Sequence, residues 1–148
     1  MSNAAELPFS VTHHVRDTCL CLHVQRAARA VARRFDEALR PLDLTNGQFS
    51  LLMALNRPEP PPMGQVSALL AMDRTTLTAS LKPLQRRGLV RVVVDATDRR
   101  LRRLVLTPAG RRLLVRAVPI WRETHAELDR IVGAGEIDRL RAELRTLA

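Results

Sequence analysis

Apolar residues recur every three or four positions over several stretches of the chain, with polar residues between them. This spacing places apolar side chains along one face of a helix. It predicts helices over residues 17–40, from 45 onward, over 63–70, from 74 to about 87, over 108–132 and over the C-terminal residues. After residue 88 the pattern changes: a Val-rich run at 89–95 and a second run at 103–106 predict two strands joined by a polar tip at 96–100. The chain should be mainly α-helical with one small β-hairpin.

Capping signals mark several of the predicted boundaries. Asp17 or Thr18 can cap the first helix, and Pro41 should end it because proline cannot donate the next backbone hydrogen bond. Thr45 and Gln48 have the spacing of a capping box, in which each side chain bonds the other residue's backbone. Thr107 followed by proline is a strong start signal for the long helix at 108.

The short helix over 63–70 is followed by a tight turn and then by a second helix, which Asp73 caps and Gly88 ends. Val66, Leu69 and Leu70 should point inward from the first of these helices. Leu77, Leu81 and Leu84 form the predicted buried face of the second. Two short helices joined by a tight turn make a helix-turn-helix, and the hairpin behind them makes it a winged helix.

Positive charge is concentrated in one part of the chain. Residues 82–116 contain eleven Lys or Arg and two acids, which accounts for the whole net charge of +9. A neutral body with one basic segment is typical of proteins that bind a polyanion. The sequence has no Tyr, one Trp and three Phe, so single-strand binding by base stacking is poorly supported.

Several other classes are disfavoured. No apolar run is long enough to span a membrane and no signal peptide is visible, so we expect a cytoplasmic protein. Two cysteines are too few for a disulfide framework. We find no catalytic constellation and expect no cofactor and no metal, because the four histidines match no strong ligand spacing. The opening Met1 to Ala4 resembles a cloning remnant.

The order and spacing of five motifs identify a resemblance. They are Leu44-Thr45-x-x-Gln48-Phe49, Asp73-Arg74-Thr75-Thr76-Leu77-Thr78, Gly88-Leu89-Val90, Asp98-Arg99-Arg100 and Leu104-x-Leu106-Thr107-x-x-Gly110. Together they resemble the MarR family of bacterial transcriptional regulators over residues 17–147. The resemblance implies a single MarR-like domain over 1–148, with a winged helix-turn-helix lobe at 45–107.

The resemblance further implies a homodimer, joined through helices at 17–40 and 108–147, that binds a pseudo-palindromic operator in double-stranded DNA. It implies a repressor released by a small aromatic or lipophilic effector between the dimer core and the DNA-binding lobe. We expect Trp121 in the core or the dimer interface. The chain departs from the family pattern at Ala79, where many relatives carry Arg, and at Pro83 inside the recognition helix.

The exposed face of the recognition helix supplies the first set of candidate contacts. Thr75, Thr76 and Thr78 are poor helix formers, and their presence is explained if they meet phosphates and thymine methyl groups. The alternative for Thr76 is that it only supports the Asp73 cap. The basic residues of this face should pair with phosphates and contribute affinity more than sequence information; they are Arg74, Lys82 and Arg86.

The polar hairpin tip supplies the second set. Arg100 is the predicted wing-tip residue that enters the minor groove. Asp98 should hold the Arg100 guanidinium through a charge-assisted hydrogen bond, because an acid facing DNA needs such a partner. Arg99 and Arg102 add positive charge with Arg103, and at least one of these three should face away. The alternative is an ordinary charged turn.

Two other functions stay open. Some members of the family sense peroxides through a cysteine at the start of the first helix, so Cys19 or Cys21 could make this chain an oxidative-stress sensor. Residues two apart on a helix point to nearly opposite sides, and we expect buried, structural cysteines instead. A winged helix can also serve as a protein-interaction module whose basic ribbon docks an acidic partner. A salt titration of DNA binding separates this reading from the first.

Overall fold

The computed structural model describes residues 6–148, so the opening Met1 to Ala4 lies outside the described residues. Two compact units divide the chain, one through Arg34 and one from Phe35 to Ala148. Within the described residues there are seven α-helices, one more than the sequence predicts, and the predicted two-stranded antiparallel sheet. No described helix combines the length and the apolar character that crossing a bilayer requires.

The first unit holds helix α1 (Phe9–Thr18) and the start of helix α2 (Leu20–Leu39). The single helix predicted over 17–40 was wrong, because Cys19 has extended backbone angles (φ −67°, ψ 107°) and separates the two helices. The predicted cap at Asp17 or Thr18 was also wrong. The Thr18 hydroxyl donates to the His14 carbonyl 2.7 Å away inside α1, and Asp17 pairs with Arg16.

A 3-10 turn (Arg40–Leu42) containing Pro41 follows α2, and Asp43 then takes left-handed angles (φ 52°). Helix α3 (Asn46–Ala54) starts at the predicted capping box, with both reciprocal bonds of Thr45 and Gln48 present. The backbone N–H and the side-chain amide of Asn46 donate to Asp36 Oδ1 at 2.7 and 2.8 Å. These bonds favour the ionised carboxylate and lower the pKa of Asp36.

Helices α4 (Met63–Leu69) and α5 (Arg74–Arg86) form the helix-turn-helix over the core of the second unit. The predicted inward residues of α5 are buried, since Leu77, Leu81 and Leu84 are at most 1% exposed. The α4 prediction was wrong for Leu69, which is 58% exposed, while Val66 is fully buried. An amphipathic seven-residue helix presents too few positions to fix its buried face from sequence alone.

Strands β1 (Val90–Val94) and β2 (Arg102–Leu106) pair from Val90 opposite Leu106 to Val94 opposite Arg102. Helix α6 (Pro108–Val132) begins at Thr107, whose hydroxyl accepts from the Gly110 N–H and donates to the Gly88 carbonyl. Gly110 passes so close to the strand that an added Cβ would lie 2.3 Å from the Leu89 carbonyl oxygen. The wing is therefore attached directly to the first turn of α6.

Gly133 and Gly135 separate α6 from the last helix, α7 (Glu136–Arg145), and both take positive φ angles. Neither α1 nor α7 contains a buried residue. Large apolar side chains on these two helices, and at the adjoining ends of α2 and α6, are exposed instead: Phe9, Val11, Val15, Leu20, Ile131, Leu140 and Leu144. The core cluster belongs to the second unit and runs from Leu39, the last residue of α2, to Ala117 in α6, and Leu128 is buried further along α6.

Candidate nucleic-acid interface

Helix α5 is fixed at both ends and along one face. The Asp73 carboxylate accepts from the Thr76 backbone N–H at 2.7 Å, and this bond is the main cause of the lowered pKa of Asp73. Gly88, with φ +70°, allows the chain to turn into β1. Because the Leu77 face is buried, the opposite face of α5 is held toward solvent in a set orientation.

All six residues predicted for the recognition helix are exposed: Arg74, Thr75, Thr76, Thr78, Lys82 and Arg86. The Thr78 hydroxyl donates to the Arg74 carbonyl at 2.8 Å. Its proton is therefore engaged within the helix, and the groups left for an external contact are the oxygen lone pairs and the methyl group. Three cations and three threonines are thus exposed along α5.

The two departures from the family pattern lie in the same helix. Pro83 removes the donor that would bond the Ala79 carbonyl, yet α5 runs on to Arg86 and the Arg87 N–H bonds the Pro83 carbonyl at 3.1 Å. Helix α5 is therefore continuous through Pro83, and the three residues after it are helical as well. Ala79 is exposed, so it leaves a gap in the cationic face.

The wing tip is organised by Asp95 rather than by Asp98. One Asp95 oxygen accepts from the backbone N–H groups of Thr97 (3.1 Å) and Asp98 (2.9 Å) and from the Thr97 hydroxyl (2.8 Å). The other accepts from Arg103 Nε at 2.5 Å. Four donors on one carboxylate, Arg103 first among them, hold the pKa of Asp95 far below its usual range.

The predicted contact between Asp98 and the Arg100 guanidinium was wrong. The Asp98 carboxylate accepts from the Arg100 backbone N–H at 3.0 Å. It therefore stabilises the turn and does not orient the Arg100 side chain. Arg99 and Arg100 are exposed at the tip. Arg102 is half-buried, and its guanidinium donates to the Arg99 carbonyl at 2.9 Å. It therefore stabilises the turn at the tip.

Arg103 connects the hairpin to the loop that precedes α4. Its Nη1 donates to the Pro60 carbonyl at 2.9 Å while its Nε binds Asp95. Leu104 N–H donates to the Pro61 carbonyl at 3.0 Å, and Pro62 forms a bridge with Arg103. The loop over residues 57–62 therefore lies along the free edge of β2, as an added extended segment.

Asp95 is not among the site residues predicted from the sequence, and the two partners of Arg103 are not predicted either. Asp95 carried a readable signal, because an aspartate two residues before a hairpin tip commonly accepts from the following backbone N–H groups. Arg103 carried none, since its two partners lie 8 and 43 residues away and meet it only through the hairpin register.

A cleft of about 540 Å³ opens between α3, α4 and α6. Its apolar wall is formed by Phe49, Met53, Leu69, Leu70, Val118 and Trp121, and Arg57 and Arg122 supply cations. The rings of Phe49 and Trp121 are nearly parallel, with centroids 6.3 Å apart. Trp121, expected in the core or the dimer interface, is a wall of this cleft and is 36% exposed.

The two cysteines lie in the first unit, at the junction of α1 and α2. Cys19 is half-buried in the break between the helices, and Cys21 is exposed in the first turn of α2. The Gln25 side-chain amide lies 3.1 Å from Cys21 Sγ. The expectation that both thiols are buried was wrong. Among residues 6–148 no three His, Cys, Asp or Glu side chains group as metal ligands would.

Comparison with known proteins gives consistent matches. Residues 42–101 match the sequence profile of the MarR family. The chain is 35% identical over 97 residues to the HTH-type transcriptional regulator TtmR of Methylorubrum extorquens (strain PA1). That alignment covers 66% of this chain and 50% of TtmR, so the chain spans about half the length of the curated relative it matches.

Solved structures agree over more of the chain. The M. tuberculosis transcriptional regulator MosR in complex with DNA is 41% identical, with a TM-score of 0.79, over 87% of this chain and 92% of that one. The transcriptional repressor CouR of Rhodococcus jostii RHA1, bound to a 23-mer DNA duplex, is 28% identical with a TM-score of 0.79. It covers 97% of this chain and 99% of its own.

Proposed function

The chain belongs to the MarR family of transcriptional regulators, and we propose that it is a homodimeric repressor that binds a pseudo-palindromic site on duplex DNA. The family and the fold are those of regulators and not of enzymes. The observation that carries DNA binding is the exposed, cationic and Thr-rich face of α5 beside an Arg-tipped wing. The similar proteins MosR and CouR, each solved with DNA, support this assignment. A repressor of this kind acts in the cytoplasm, where the bacterial chromosome lies.

In this proposal α5 enters the major groove. Thr75 and Thr78 contact base edges and thymine methyl groups, and Thr76 contacts phosphate while its backbone N–H is held by Asp73. Arg74, Lys82 and Arg86 neutralise phosphates, which sets the register of the helix without reading sequence.

The wing enters the minor groove beside it. Arg99 and Arg100 are the exposed cations of the tip, and a narrow minor groove attracts such side chains through its enhanced negative potential. Asp98 and Arg102 shape the turn that carries them, through their bonds to the Arg100 N–H and the Arg99 carbonyl.

Dimerisation is proposed through the terminal helices. Helix α1 buries none of its residues, although isolated helices of ten residues are marginal in water. Exposed Leu140 and Leu144 on α7 and Ile131 on α6 form further apolar surface without a cover in the single chain. A second copy that buries these faces explains why they are apolar.

The proposed effector site is the cleft walled by Phe49 and Trp121. A volume of about 540 Å³ suits a small organic molecule. The apolar wall fits a lipophilic or aromatic body. Arg57 and Arg122 fit an acidic group. Effector binding there would release the repressor from its site.

The test starts from duplexes selected by the protein from a random pool. Fluorescence anisotropy then gives Kd for a selected duplex and for a random one at several salt concentrations. We expect half-sites about 34 Å apart and a linear fall of log affinity with log salt, with preference for the selected duplex. A chain that binds acidic proteins but no duplex would support the protein-interaction module instead.

A thiol-based oxidative-stress sensor is the second candidate, favoured by the position of Cys19. Cys19 and Cys21 would point to opposite sides of one continuous helix. Because the backbone breaks at Cys19, that restriction does not apply to them. Cys19→Ser and Cys21→Ser, made singly, decide the matter. If organic peroxide releases the wild-type chain from its duplex and fails to release one variant, the sensor function holds. Equal behaviour of all three proteins rejects it.

A further inference from the structure

The wing contains, next to its tip, an ion pair that the proposed DNA contacts do not use. Arg103 bridges the Asp95 carboxylate, 2.5 Å from its Nε, and the Pro60 carbonyl, 2.9 Å from its Nη1. We name the Asp95–Arg103 pair with its Pro60 anchor the wing strut. It links the hairpin tip to a loop that follows α3.

A series of hydrogen bonds connects Asp95, at the tip end of the wing strut, to the backbone of the exposed arginines. Asp95 holds the N–H groups of Thr97 and Asp98, and Asp98 in turn holds the Arg100 N–H. The Asp95 N–H donates to the Leu101 carbonyl at 3.0 Å and closes the turn. The Arg100 N–H is thus linked to Asp95 through Asp98.

The root end is held by the loop. Leu104 N–H bonds the Pro61 carbonyl, beside the Arg103 contact with Pro60. A two-stranded hairpin is only marginally stable alone. Here residues 60–62 add a third extended segment beside β2, and the Arg103 guanidinium bonds both that segment and the hairpin.

The negative charge of Asp95 indicates that the Asp95–Arg103 pair positions the wing tip. A carboxylate in a DNA-facing ribbon repels phosphate, and Asp95 stands within the most basic part of the chain. Its side chain is only 12% exposed and that of Arg103 31% exposed, so both are partly withdrawn from the surface that meets DNA. Electrostatics alone would favour an uncharged residue at position 95.

We propose that Asp95 and Arg103 are positioning residues that fix the wing tip against the Pro60–Pro61 segment and so present Arg99 and Arg100 to the minor groove. The inference rests on the proposed DNA-binding function. It assigns a role to two residues that are not themselves placed on the duplex.

Three variants test it: Asp95→Asn, Arg103→Met and the double variant. Asp95→Asn keeps an oxygen for the Thr97 and Asp98 N–H groups and removes the charge. Arg91→Met is the matched control, because Arg91 lies on the same ribbon face as Arg103, is exposed, and makes no side-chain hydrogen bond within the described residues. It removes the same charge without touching the strut.

Asp95→Asn should weaken DNA binding, although removal of a negative charge would by itself tighten it. Asp95→Asn should raise Kd roughly tenfold for selected and random duplexes alike, about the effect of losing one well-placed contact. Arg103→Met should weaken binding more than Arg91→Met, and the double variant should be no weaker than Arg103→Met alone. Tighter or unchanged binding by Asp95→Asn, or equal effects of Arg103→Met and Arg91→Met, overturns the proposal.

Hydrogen exchange on the free protein supplies a readout that does not need DNA. Arg103→Met should speed exchange at the Asp98 and Arg100 N–H groups, and leave α3 and α5 unchanged. Unchanged exchange at the tip rejects the strut even if DNA binding falls. If the wild-type chain binds no duplex, the proposed function fails, and the exchange result still decides whether the strut orders the tip.

Discussion

Replacement of Gly110 by alanine measures how tightly α6 is joined to the wing. A Cβ at this position would lie 2.3 Å from the Leu89 carbonyl oxygen and 2.7 Å from Leu106 Cδ1. The Leu89 carbonyl cannot simply move aside, because it accepts from the Thr107 N–H at 3.1 Å. The new methyl group therefore displaces backbone on one side and a core side chain on the other.

The magnitude follows from two opposing contributions. Overpacking a well-packed site costs about 1–3 kcal/mol, and a backbone obstacle places Gly110→Ala near the upper end. Alanine regains about 1 kcal/mol over glycine within a helix. The free energy of unfolding should therefore fall by roughly 2 kcal/mol. For a chain of this length that lowers the melting temperature by about 4–8 °C.

Urea unfolding followed by circular dichroism, at one fixed protein concentration, measures the change. Gly64→Ala is the matched control, because Gly64 lies in the first turn of α4 and nothing stands within 4 Å of its added Cβ. It should stabilise the chain by about 0.5–1 kcal/mol. If Gly110→Ala proved as stable as wild type with the same urea dependence, the close contact described here would be wrong.

The remaining predictions concern DNA contacts, assembly and pH. In anisotropy titrations Thr78→Ala should relax sequence preference with a nearly unchanged salt slope, whereas Arg100→Ala should weaken binding to every duplex and lower the slope by roughly one counterion per wing. Deletion of residues 134–148 should cause unfolding or aggregation in sedimentation experiments, and a well-folded monomer that binds DNA would contradict the proposed dimer. The lowered pKa of Asp36 means that its stabilising effect is present above the unfolded pKa, about 4, and is lost as pH falls through the folded pKa. Asp36→Asn should therefore show a smaller loss of stability on acid titration.

Features that depend on neighbours in the chain were predicted well. The Thr45 capping box and the Thr107 start of α6 both form within three residues, so the sequence contains every group involved. The buried face of α5 followed from the spacing of its leucines. Local hydrogen bonding and helical period are visible before any tertiary contact is known.

Features that depend on tertiary contacts were not predicted from the sequence. The break at Cys19 has no Gly or Pro to announce it. Leu69 fits an apolar stripe, yet its burial depends on which elements pack against so short a helix. The Asp98 carboxylate found a backbone partner next to it, where we had predicted a side chain. The Asp95–Arg103 contact required the hairpin register, which a polar tip of uncertain length does not fix.

The loop beside β2 has a further consequence for the behaviour of the sheet. An unpaired strand edge presents N–H and C=O groups that can recruit another chain into edge-to-edge association. Here Pro60, Pro61 and Pro62 lie along that edge and offer carbonyl acceptors inward, while three consecutive proline nitrogens have no proton to offer outward. The sheet is closed to further growth on this side by residues that cannot continue it, so edge-to-edge association through β2 is disfavoured.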